Sequence, residues 1–99
     1  MSKLKNIHPG EVLNVEFLIP MGTTAYRLAK AIQVPQTRLS EIIKGNRSIT
    51  ADTAVRLSIY FNNSPKFWLG LQNDYDLEEE MKQSKKIFAK IKENLIDWA

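Results

Sequence analysis

Cysteine is absent from the 99 residues, which rules out disulfides, thiolate metal sites and zinc fingers and fits a reducing cytosol. No apolar run approaches the roughly 18 residues needed to cross a bilayer. The stretch from Met1 to Pro9 is polar and lacks the apolar centre of a secretion signal. A cytoplasmic location with no membrane partner is expected. The one histidine, His8, stands beside a helix start with no second ligand near it, so a capping or end-of-core role fits it better than catalysis or metal binding. There is no Ser/His/Asp set, no phosphate-cradling loop and no metal-ligand spacing. Glu78, Glu79 and Glu80 read as a solvated helix start rather than an acid/base pair. These gaps leave no catalytic residue, no metal and no cofactor, and point away from an enzyme. Repeats and low-complexity tracts are missing as well, and strands are hard to place.

What is present suffices for a single folded domain over residues 1–99: apolar residues make up 43% and charged residues 25%, too apolar a balance for wholesale disorder. The net charge of +3 is mild, but its distribution is uneven. Residues 1–65 hold eight bases and four acids, and the remainder six bases and seven acids. Between Arg27 and Arg47 five bases face the single acid Glu41, which concentrates positive density in one segment.

Punctuation divides the chain into five or six short helices. The first runs from Gly10 to Ile19, entered at Pro9 and ended by Pro20 and Gly22, with Leu13 and Phe17 facing inward. Thr24 caps a second helix carrying Leu28, Ala29 and Ile32 on one face. Pro35 stops it and opens a third, whose Leu39, Ile42 and Ile43 point inward and which Gly45 and Asn46 close in a left-handed turn. Thr50 caps a fourth, from Ala51 to Phe61, with Ala54, Leu57, Ser58 and Phe61 on one face. Asn62 and Asn63 break it, and Ser64 followed by Pro65 starts a fifth with Phe67, Trp68 and Leu71. From Leu77 onward Met81, Ser84, Phe88, Ile91, Leu95 and Trp98 form a heptad seam on a charged helix. Asp76 and Glu79 resemble a capping box for a separate sixth helix, although one continuous helix from Pro65 reads almost the same.

Residues Thr24 to Ile43 satisfy the packing demands of a helix-turn-helix. Leu28, Ile32, Val34, Leu39 and Ile42 take the buried positions, and Ala29 stands at the crossing, where a larger side chain would force the helices apart. With Leu39 inward, the 100° step turns Thr37, Ser40, Glu41 and Lys44 outward, with Gln36 and Arg38 on the flanks. Gln36, Thr37, Arg38, Ser40 and Glu41 are therefore the candidates for contacts to base edges in the major groove of double-stranded DNA. Glu41 would read cytosine or hold Arg38 or Lys44. Thr24, Tyr26, Arg27, Lys44, Asn46, Arg47 and Ser48 surround that helix and suit phosphates, with surface solvation or edge packing as the plain alternative.

Five motifs carry a family resemblance over about residues 7–76: His8-Pro9-Gly10-Glu11, Tyr26-Arg27-Leu28-Ala29-Lys30, Arg38-Leu39-Ser40-Glu41-Ile42, Ile49-Thr50-Ala51-Asp52-Thr53-Ala54 and Phe67-Trp68-Leu69. With these the chain resembles the HigA-type antitoxins among the Xre-like helix-turn-helix repressors. The resemblance implies an all-α, lambda-repressor-like fold with a five-helix core over 9–76 and a C-terminal helical extension over 77–98. It also implies a homodimer that represses its own operon and binds an mRNA-cleaving toxin. Gln33 departs from the family pattern, which has Gly where the turn requires a left-handed backbone; a side chain there costs about 1–2 kcal/mol. The seam residues Leu77, Met81, Phe88, Ile91, Leu95 and Trp98 could cover the core, a second subunit or a toxin. Two other readings stay open, a repressor with no toxin partner and a protein-interaction module that does not bind DNA.

Overall fold

The computed structural model describes residues 5–98, and no strand occurs among them. Helix α1 (Pro9–Val12) continues into a π-helical stretch over Leu13–Leu18, followed by α2 (Ala25–Ile32), α3 (Gln36–Ile43), α4 (Ala51–Phe61), α5 (Pro65–Gln83) and α6 (Lys85–Lys92). The widened turn has a packing reason. In an ordinary helix Leu18 lies about 140° from Leu13 around the axis, whereas the wider π-helical turn brings residues five apart much closer to one face. Both leucines are fully buried as a result, and Phe17 packs beside them. The amide of Ile19 reaching Asn14 O at 2.9 Å marks the wider spacing.

The core draws one or two large side chains from the π-helical stretch and from each of α2 to α5. Leu13, Leu18, Leu28, Leu39, Ile42, Leu57 and Trp68 are fully buried. Each contributes about 1.5–3 kcal/mol of transfer free energy. Trp68 satisfies its indole N–H on Asn63 Oδ1 at 3.0 Å and lies among Phe17, Phe61 and Phe67. Phe67 itself is 41% exposed and lies over the cluster rather than inside it, because the neighbouring Trp68 points inward from the same turn. Thr50 occupies the N-cap position of α4 with no hydrogen bond from its side chain, so its hydroxyl does not cap as expected.

Helix α5 runs through Asp76 without interruption. The capping-box residues have other partners: Asp76 Oδ1 accepts from Gln72 Nε2 at 2.9 Å, and Glu79 Oε2 from Asn6 Nδ2 at 2.9 Å. The break falls at Ser84 (φ −111°, ψ 25°), and α6 stops at Lys92, short of the expected end at residue 98. The radius of gyration is 16.9 Å, against about 13 Å for a compact domain of this length. The excess comes from the end of α5 and α6, which project from the core.

Candidate nucleic-acid interface

Helix α2 begins where Thr24 Oγ1 accepts the Arg27 amide at 3.2 Å, as its N-cap spacing requires. It ends at Gln33, which adopts φ 61°, ψ 50°. The left-handed conformation at this turn is thus adopted by a residue that carries a side chain, where glycine would be unstrained. Val34 turns back into the core, and α3 starts after Pro35. Leu39 and Ile42 anchor α3 with no exposed surface, which fixes its orientation on the body. Gly45 (φ 82°) closes α3 as expected; Asn46 is not left-handed.

The base-contact candidates separate into two groups. Gln36, Thr37 and Glu41 are exposed, and Ser40 is half-buried at the rim. Arg38 folds away from them, with Nη1 2.6 Å from Asp52 Oδ2 and 3.4 Å from Thr53 Oγ1, leaving 27% of its side chain exposed. Glu41 binds Arg47 at 3.2 Å, not Arg38 or Lys44. The phosphate candidates Thr24, Tyr26, Arg27, Lys44, Asn46, Arg47 and Ser48 are all exposed. Lys30 Nζ lies 5.2 Å from the centre of the Tyr26 ring, a cation-π contact that holds both on the outer face of α2.

Asp52 is shared, its second oxygen accepting from Arg56 Nε at 3.0 Å. The hydrogen bond from Arg38, then that from Arg56, hold its carboxyl below the usual carboxylate range. Arg56 Nη1 also donates to the carbonyls of Ile32 at 2.8 Å and Gln33 at 3.2 Å, the two residues that make the turn.

Behind this face, α1 crosses the end of α3 with no room for a side chain. A Cβ on Gly10 would overlap the Ile42 carbonyl oxygen and stand 2.9 Å from Ile43 Cα. His8 caps α1, its Nδ1 accepting the Gly10 amide at 2.9 Å, and its ring meets Tyr75 edge-on at 4.9 Å. Burial lowers its pKa below 6.5, and Asp76 opposes that shift. Gln72 Oε1 accepts the Ile49 amide at 2.8 Å, tying the loop after α3 to α5.

Residues 16–68 match the helix-turn-helix family model. Virulence-associated protein I of Dichelobacter nodosus is 48% identical over 84% of this chain and 79% of its own length. Antitoxin HigA-1 of Vibrio cholerae is 36% identical over 94% of both chains. The chain belongs to the HigA-type antitoxins. Within the Xre-like helix-turn-helix repressors this is a family of DNA-binding regulators rather than enzymes. The Pseudomonas aeruginosa antitoxin HigA, solved with the higBA promoter, superposes on this antitoxin with a TM-score of 0.84 at 34% identity, covering 96% of this chain and all of that one.

Sequence reasoning missed Gly10, Gln72 and the joint role of Asp52 and Arg56 in this antitoxin. Gly10 stood inside a quoted motif, and only the crossing helix explains it. Asp52 stood inside the motif that opens the fourth helix, and nothing in its spacing announces two arginines on one carboxylate. The seam residues of the antitoxin do not cover its core. Leu77, Met81, Phe88, Ile91, Leu95 and Trp98 are 40% to 89% exposed, because α5 and α6 leave the body along the projecting arm.

Proposed function

We propose that this antitoxin is a dimeric repressor of its own operon that works in the cytoplasm, seats α3 in the major groove of its operator and neutralises an mRNA-cleaving toxin. The observation that carries the reading is the exposed polar side of α3, Gln36, Thr37 and Glu41, on a helix anchored by the buried Leu39 and Ile42, with the exposed bases Arg27, Lys30, Lys44 and Arg47 on the segments before and after it. Gln36, Thr37, Ser40 and Glu41 address base edges; Thr24, Tyr26, Arg27, Lys44, Asn46, Arg47 and Ser48 grip phosphates.

Two copies would pair through the arm. The acidic run Asp74, Asp76 and Glu78–Glu80 precedes the basic run Lys82, Lys85, Lys86, Lys90 and Lys92. An antiparallel pairing of two arms therefore sets acid against base on both sides of Leu77, Met81, Phe88 and Ile91, and it leaves the α3 faces free for two half-sites about one helical turn apart. The relative solved with promoter DNA supports the duplex as partner, and membership in an antitoxin family supports the toxin.

Fluorescence anisotropy with the chain's own upstream duplex tests the reading. Affinity should fall by about 10³ or more between 50 and 200 mM salt as condensed counterions cease to drive binding. Failure to bind that duplex at low salt contradicts it.

A further inference from the structure

The helix-turn-helix of this chain is braced from α4. Asp52, in the first turn of α4, gives one carboxylate oxygen to Arg38 of α3 at 2.6 Å and the other to Arg56, one turn further along α4, at 3.0 Å. Arg56 then reaches the carbonyls of Ile32 and Gln33. Three elements are joined through one carboxylate: the last residue of α2 with the left-handed turn after it, the first turn of α3, and α4. The turn most in need of bracing is the one that lacks glycine, since Gln33 at φ 61° carries backbone strain. The brace also occupies Arg38, whose guanidinium is turned back along the body while Gln36, Thr37 and Glu41 face solvent.

We propose that Arg38, Asp52 and Arg56 form a positioning clamp that fixes α3 against α4 and the preceding turn, so that Arg38 serves operator recognition by holding the reading helix rather than by touching a base. The proposal rests on the operator-binding reading above and assigns a division of labour within it: Gln36, Thr37, Ser40 and Glu41 read, and Arg38 holds. A base edge or phosphate would have to displace a close charge-assisted hydrogen bond to recruit Arg38, and Asp52 would then be left with Arg56 alone.

The test uses four full-length proteins, the native chain, Arg38→Met, Asp52→Asn and the double variant, at a temperature where all are folded. Under that condition a purely stabilising role leaves affinity unchanged. Affinity is measured on the native upstream duplex, on duplexes with one base pair changed at a time, and across salt. The clamp predicts that each single variant binds about tenfold more weakly, that the double variant is no weaker than either single one, and that the ranking of duplexes and the salt slope keep their native values. A preference flattened at one base position by Arg38→Met makes Arg38 a base reader; a salt slope smaller by about one makes it a phosphate contact. Either result overturns the clamp, as does unchanged affinity or additive loss. Should the native chain bind no duplex at all, the operator reading fails, and thermal unfolding of the same proteins decides the clamp: losses that overlap in the double variant support it, and additive losses overturn it.

Discussion

At the scale of single residues, backbone geometry governs more than side-chain chemistry. Gly10→Ala places a methyl group into the Ile42 carbonyl, and because that methyl has no rotamer to move to and meets backbone atoms, α1 and α3 must separate. A loss of about 3 kcal/mol in chemical denaturation is expected, at the upper end of overpacking costs. Gln33→Gly acts in the opposite direction. It removes the left-handed strain, and after the added freedom of the unfolded chain is subtracted it should raise stability by about 1 kcal/mol. His8 supplies a pH dependence. Its folded-state pKa is lowered, so the unfolded chain binds the proton more readily, and stability rises with pH between the folded value and 6.5. The His8 contribution is complete above pH 6.5 and is lost as pH falls from there through the folded value, where protonation also ends the acceptance of the Gly10 amide at Nδ1. Melting curves between pH 5 and 7.5 should show this loss in the native chain and a shallower one in His8→Asn.

At the scale of elements, the parts legible in the sequence were those set by local rules. Thr24 before a helical spacing, Pro35 after it, Gly45 at the end of α3 and Ser64-Pro65 at the start of α5 all act where their chemistry places them. The buried faces of α2 and α3 were equally legible, since Leu28, Ile32, Leu39 and Ile42 repeat at helical period. Features that depend on a distant partner were not. The π-helical turn answers to the core that Leu18 must reach, Glu79 is drawn to Asn6 from the far end of the chain, and Arg38 faces a carboxylate 14 residues away. The α3 face and its surroundings make a separable prediction: Arg47→Ala should weaken binding to all duplexes alike and reduce the salt slope by about one, whereas Gln36→Ala should cost about 1–3 kcal/mol only on the native base at one position.

At the scale of the whole molecule, the projecting arm leaves its apolar seam exposed, with Leu77, Met81, Phe88 and Ile91 at 40% to 64%. An exposed apolar seam of this kind marks an interaction surface, and in the proposed pairing its charge order is set against a second copy. Phe88→Asp with Ile91→Asp should convert the protein to a monomer in size-exclusion with light scattering while leaving its melting temperature close to that of the unpaired native fold. A dimer that survives both substitutions removes the seam from the interface. The account as a whole depends on α3 presenting its outer side to a duplex. A footprint of the full-length protein on its own upstream region tests that most directly. Two protected half-sites with centres about one helical turn apart, related by a dyad and lost with Gln36→Ala and Thr37→Ala together, are the predicted result; an unprotected region, or protection indifferent to those two residues, contradicts it.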